Sequence, residues 1–110
     1  MNNAENPEPN KSSITGTLKH GLRIGEALHT EFEIVSVASM GQLFAAERES
    51  DPKKPIAFQA AIIGQQLKRI GSYTGPFTLG IMGMLKPTDF NILRDAQLRL
   101  DNMDDELGKE

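Results

Sequence analysis

Residues 14–35, ITGTLKHGLRIGEALHTEFEIV, change character at almost every step. Ile14, Gly16, Leu18, His20, Leu22 and Ile24 share one parity, while Thr15, Thr17, Lys19, Gly21 and Arg23 take the other, which is the period-two signal of a half-buried strand. Gly25-Glu26-Ala27 offers a turn, after which Leu28, Thr30, Phe32 and Ile34 alternate with His29, Glu31 and Glu33. The stretch therefore predicts a β-hairpin. A three-residue loop would pair Ile24 with Leu28 and set Lys19 opposite Glu33 as a cross-strand ion pair. Two strands alone are barely stable in water, so the apolar face needs a covering layer.

The rest of the chain supplies that layer as helices. Ser39-Met40-Gly41-Gln42 fits a capping box ahead of LFAAERE and predicts a first helix over 39–50. Pro55 suits the opening turn of a second helix over 56–70, and Gly71 suits its end. Ile56, Ala60, Ile63, Leu67 and Ile70 form one stripe of it, and Phe58 and Ile62 lie nearly opposite, beside Gln65 and Arg69. This helix thus carries two apolar faces. A short glycine-weakened helix over 78–85 follows, then a strongly amphipathic one over 88–104, where Thr88 can cap and Asp89 meets the positive end of the dipole. Ile92, Leu93, Ala96, Leu100 and Met103 share its apolar arc, and Leu98 stands apart among polar neighbours. The expected fold class is α+β, an N-terminal β-hairpin packed on a small bundle of three to four helices, in a single domain over 14–104. Residues 1–13, polar and proline-bearing, are expected as a flexible tail, and 105–110 as a frayed end.

Composition bounds the chemistry. With 110 residues the chain has room for one domain. Leu, Ile, Val and Phe number 27, enough for a core, although no Trp and one Tyr leave it few large side chains. The absence of cysteine removes disulfides, thiolate metal sites and cysteine nucleophiles together. A net charge of −3 argues against a nucleic-acid partner. There is no apolar run long enough to span a bilayer and no signal segment, so no membrane partner is expected and the chain is placed in a cytoplasm.

No catalytic constellation emerges, and neither an enzyme nor a cofactor or metal is expected. His20 and His29 point to opposite faces of the predicted hairpin, His20 half-buried near Phe32 and His29 solvated. Gly80-Ile81-Met82-Gly83 matches the spacing of a nucleic-acid-clamping GXXG loop but has Ile and Met where such loops carry basic residues. Surplus apolar surface remains. Phe58, Ile62 and Leu98, with Met82 and Met84 in the methionine-rich 77–85 segment and Gln65 and Arg69 beside the second helix face, are the candidate partner-binding residues. Methionine suits surfaces that grip varied apolar segments.

LKHGLRIGEALHTEFEI, the helix ASMGQLFAAERE, IAFQAAIIGQQLKRIGSYTG and LKPTDFNILRDAQLRLD stand in an order that resembles the tail assembly chaperones of contractile-tailed phages, in particular the Mu-like prophage branch. The resemblance covers about residues 14–103 and is densest at Leu85-Lys86-Pro87-Thr88-Asp89 with Asn91, Leu93 and Ala96. It implies a non-enzymatic protein of the host bacterial cytoplasm, absent from the finished virion, which holds the tape-measure protein before the tail tube polymerises. It also implies a frameshifted longer form of the chain as a partner. A homo-oligomer, through the hairpin edge or helix 88–104, is a further expectation. The alternative reading is a structural tail or baseplate subunit retained in the virion.

Overall fold

The computed structural model describes residues 12–51 and 53–108, with side chains described as far as residue 103. Strands β1 (Ser13–Ile24) and β2 (Ala27–Val35) are followed by helices α1 (Met40–Glu49) and α2 (Pro55–Gln66), strand β3 (Leu67–Ile70), and helices α3 (Leu79–Met82) and α4 (Pro87–Gly108). The sheet is antiparallel in the order β1-β2-β3. The architecture is α+β, with the N-terminal hairpin in place and a third strand beside it.

That third strand corrects the helix expected over 56–70. Helix α2 stops at Gln66, and Leu67 is already extended (φ −69°, ψ 125°). Leu67 then pairs with Ile34, Arg69 with Glu33 and Ile70 with Phe32, so β3 spends three residues where β2 spends two. The extra residue is a bulge, and it turns Leu67 and Ile70 to the same buried face. A spacing of three between buried residues is also what a helix gives, which is why the stripe ran on past the true end. Arg69 consequently lies on the sheet, its guanidinium 3.6 Å from Glu33 and 3.7 Å from Glu31. Gly71, expected as a helix stop, follows the strand instead and takes φ +61°.

A second bulge corrects the hairpin register. The loop holds two residues, since Ile24 pairs with Ala27 and Arg23 with Leu28. At the other end Thr15 faces Glu33, and between Thr17 and Leu22 strand β1 carries three more residues than its partner. Lys19 is therefore not opposite Glu33. The amides freed by the bulge are collected by one side chain. Asp89, fully buried in the first turn of α4, accepts from Lys19 N (Oδ1, 2.7 Å), from His20 N (3.1 and 3.2 Å) and from Gly21 N (Oδ2, 2.9 Å). Gly21 adopts φ +87° in this arch, and a Cβ there would lie 2.8 Å from the His29 carbonyl oxygen. The arch turns His20 outward, so it is exposed. His29 is the half-buried one, its ring filling the space over Gly71, the reverse of the expected assignment.

Between sheet and helices lies one core of Leu18, Leu22, Phe32, Ile34, Ile63, Leu67, Ile70, Phe77, Met82, Leu93, Ala96 and Leu100. The Phe32 ring lies against Gly16, where a Cβ would come within 2.6 Å of it. The remaining boundaries shift modestly. Residues 1–11 of the expected tail lie outside the described residues, but Ser12 is buried and its carbonyl accepts from Ser36 N at 3.1 Å, so sheet pairing reaches past Ile14. Ser39 makes no capping bond, whereas Gln42 reaches back to accept from Ala38 N, half of the expected box. Helix α3 spans four residues of the expected eight, Thr78 Oγ1 accepting from Ile81 N. Helix α4 continues to Gly108, as no breaker interrupts it before that glycine, and 109–110 lie outside the described residues.

Replacing the buried Asp89 by alanine leaves three part-buried amides without their acceptor, and a loss of about 3 kcal/mol of unfolding free energy is expected. Thr88→Ala, on the exposed side of the same turn, should stay within about 0.5 kcal/mol. Urea denaturation followed by circular dichroism measures both, and equal midpoints would refute the assigned role of the carboxylate.

Candidate functional site

Two prolines open the two helices that frame a large hollow. Pro55 starts α2 and Pro87 starts α4, each at a position where a missing backbone donor and a fixed φ cost nothing. Their first turns, with α3 between them, enclose a space of about 860 Å³. Its lining is apolar over Ile56, Ala60, Leu79, Met82, Leu85 and Phe90, and the two charged residues in it, Lys54 and Arg94, are both cationic. Ile56 is 79% exposed, the most exposed large apolar side chain among the described residues. The sequence placed Ile56 on the core stripe. It escapes the core by its place along the helix, since the first turn of α2 lies at the open hollow while Ile63, two turns later, is wholly buried.

The α3 wall is held by two contacts. The Glu49 carboxylate at the end of α1 accepts from Leu79 N at 2.6 Å. The backbone of Phe77 passes so close to α2 that a Cβ on Gly64 would be 2.5 Å from the Phe77 carbonyl oxygen, so glycine is required at that crossing. The α4 wall is held by Asp89, through its grip on the β1 arch.

A smaller hollow of about 370 Å³ adjoins the first across Arg94, which lines both. Val37, Leu43, Ile62 and Leu98 line it together with Gln59, Gln66, Gln97 and Asp101. Here the α2–α4 junction is closed by amides rather than alkyl groups. Gln59 Nε2 donates to Gln97 Oε1, Gln97 Nε2 donates to Gln66 Oε1 at 2.7 Å, and Gln66 Nε2 donates to the Val35 carbonyl at 3.2 Å. Gln66 is 1% exposed, so this relay satisfies amides that would otherwise be orphaned.

The candidate partner-binding residues of the sequence reading are distributed among these features. Ile62 and Leu98 meet in the smaller hollow, and Leu98 is 57% exposed. Met82 is buried but lines the larger hollow, while Met84 is exposed beyond it. Phe58 is half-buried. Gln65 lines a third, polar hollow beside Gly64 and Phe77, and its carbonyl accepts from Gln42 Nε2 at 2.8 Å. Arg69 is engaged by Glu31 and Glu33 on the sheet. Lys54, Ile56, Leu79, Leu85, Phe90 and Arg94 were not singled out as partner-binding. The signal that finds them is the pair of proline-initiated helices either side of a short glycine-rich segment, which leaves two first turns facing each other with little between them. Among the described residues no group of three or more His, Asp or Glu is placed to hold a metal ion, and no helix is long and apolar enough to cross a membrane.

Residues 18–109 match the family described as Tail assembly protein gp41, of the Mu type. The chain belongs to this family. Its role is accordingly in the assembly of a phage tail. The match takes in all of α1 to α4 and the β1 arch, so both hollows and the Asp89 anchor lie within the region that defines the family. The comparisons with curated proteins and with solved structures return no match.

Burial separates the two ends of α2 in a way that denaturation reads directly. Ile63→Ser removes packing and buries a hydroxyl, with an expected cost of about 2–5 kcal/mol. Ile56→Ser, at an exposed position, should change stability by no more than about 0.5 kcal/mol. An equal loss for the two would mean that Ile56 is sealed in the fold and that the large hollow is closed.

Proposed function

We propose that this tail assembly protein is a chaperone that binds apolar helical segments of the tape-measure protein during tail morphogenesis and is not retained in the virion. The observation that carries the reading is the open apolar hollow between the first turns of α2 and α4, edged by the exposed Ile56, in a chain of the tail assembly family. A helix presents anchors at i, i+3, i+4 and i+7, and a trough between two helices with a short third helix along one side has the form that receives such a row. An isolated exposed apolar residue is ordinary on a protein surface, but Ile56 shares one concavity with the half-buried Ala60, Leu79, Leu85 and Phe90, and such a contiguous patch is of the kind that marks a binding site. No step of this role requires an active site. The principal seat is the large hollow, and the smaller one, with Ile62 and Leu98, extends the track past Arg94. The host bacterial cytoplasm, where tails are built, is the compartment this role implies.

Co-expression with the tape-measure chain tests the proposal. The soluble fraction of that chain should rise at least several-fold when this protein is present. The double variant Ile56→Ser and Leu79→Ser should abolish most of the gain, whereas Ile62→Ser with Leu98→Ser should remove a smaller part. Mass spectrometry of purified virions should find the protein missing or in trace amounts. A tape-measure chain that is equally insoluble alone and in all three co-expressions would refute the chaperone role, and stoichiometric recovery from virions would instead indicate a structural tail or baseplate subunit.

A further inference from the structure

The charge around the large hollow opposes that of the whole chain. The protein carries a net charge of −3, yet Lys54 and Arg94, the two charged residues lining the hollow, are both cationic. Both are exposed, and neither has an ion-pair partner among the described residues. The backbone adds to this field. Helix α2 begins at the hollow with no acidic residue in its first turn, and the carboxylate just ahead of it, Asp51, is held by the Lys53 amide at 2.9 Å and does not line the hollow. Helix α4 also begins there, and its one first-turn carboxylate, Asp89, is turned away and committed to the β1 amides. The apolar floor is thus lined by two cations and by no carboxylate, the nearby carboxylates of Glu49 and Asp51 being engaged on the amides of Leu79 and Lys53.

We infer that the occupant of this hollow is an amphipathic helix of another protein whose apolar stripe is bordered by carboxylates, the apolar side chains seated against Ile56, Leu79, Met82 and Phe90 and the carboxylates meeting Lys54 and Arg94. The inference rests on the reading of the hollow as a seat for an apolar helix and adds the chemistry that selects among such helices. Charges at the rim of an interface govern partner choice and encounter rate more than total affinity, so their effect is read as a ratio between otherwise identical ligands. The sign is diagnostic. Long-range attraction by a chain of net charge −3 would favour a cationic peptide, so preference for an acidic one must come from the local field at the groove.

The test uses the full chain and two synthetic helical peptides of one apolar sequence, one with Glu flanking the stripe and one with Lys, titrated by fluorescence anisotropy at low and moderate salt. The Glu-flanked peptide should bind roughly tenfold more tightly at low salt. The ratio should shrink as salt rises, and the variant Lys54→Glu with Arg94→Glu should invert it. Equal binding of the two peptides, or a preference for the Lys-flanked one, would overturn the charge assignment while leaving the apolar seat intact. Binding of neither would overturn the seat as well. Sedimentation of the protein alone completes the test. Self-association that Ile56→Ser abolishes would make a second copy the occupant and would also overturn the proposal, while a monomer across the titrated range supports it.

Discussion

The arrangement of the whole molecule turns on the carboxylate of Asp89. Strand β1 is too long for its partner, and the three surplus residues must leave the ladder, which strips Lys19, His20 and Gly21 of cross-strand acceptors. Three neighbouring amides converging on one point form an anion-binding nest, and α4 delivers an anion to it from its own first turn. The contact joins residues some seventy positions apart in sequence and fixes the helix to the sheet at one end. Leu93, Ala96 and Leu100 then follow at helical spacing down the buried face. Every group on the α4 wall of the large hollow, from Pro87 to Arg94, is therefore placed by an interaction outside the hollow. A polar anchor suits this purpose better than an apolar one, because it specifies register as well as proximity.

The two bulges explain which parts of the fold were legible in the sequence. The hairpin, the cover of helices and the amphipathic face of α4 follow from periodicity, and Leu18, Leu22, Phe32, Ile34, Leu93, Ala96 and Leu100 are buried as that periodicity requires, whereas Leu28 and Met103, at the ends of the same faces, are exposed. What periodicity cannot reveal is an inserted residue. In β1 the insertion leaves Leu18 and Leu22 on the same face, so the alternation reads unbroken while the pairing has slipped and the Lys19 partner is lost. In β3 the insertion gives Leu67 and Ile70 the spacing of a helix. Both features are set by distant partners, Asp89 in one case and the β2 edge in the other, and such tertiary demands override local preference.

The candidate residues of the sequence and the hollows of the structure overlap only in part. Surplus apolar surface on α2 is the signal the sequence offers, and Ile62 and Leu98, which stand outside the stripes, line one hollow. The larger hollow, however, is edged by Ile56, which belonged to the core stripe by angle alone. An angular argument assigns a face to a helix but not the length over which that face is covered. Coverage varies along the helix, and the first turn of α2, at Ile56, is left open where Ile63 is wholly buried.

The contrast between the two ends of the α2–α4 junction bears on how such a surface remains compatible with a stable monomer. Were the junction apolar throughout, the helices would gain by closing on each other, since burying alkyl surface has no preferred geometry and would fill the hollow from within. The glutamine relay resists that collapse. Gln66, Gln97 and Gln59 are satisfied only at a spacing that lets each amide reach the next and the last reach the Val35 carbonyl, so the helices are held at a fixed separation at one end. Asp89 holds α4, and Glu49 with the Gly64 crossing holds α3, at the other. The hollow is thus framed by directional bonds rather than by apolar contact. A frame of this kind keeps apolar side chains at the surface of a stable monomer, and the ordering of the hollow is completed in folding.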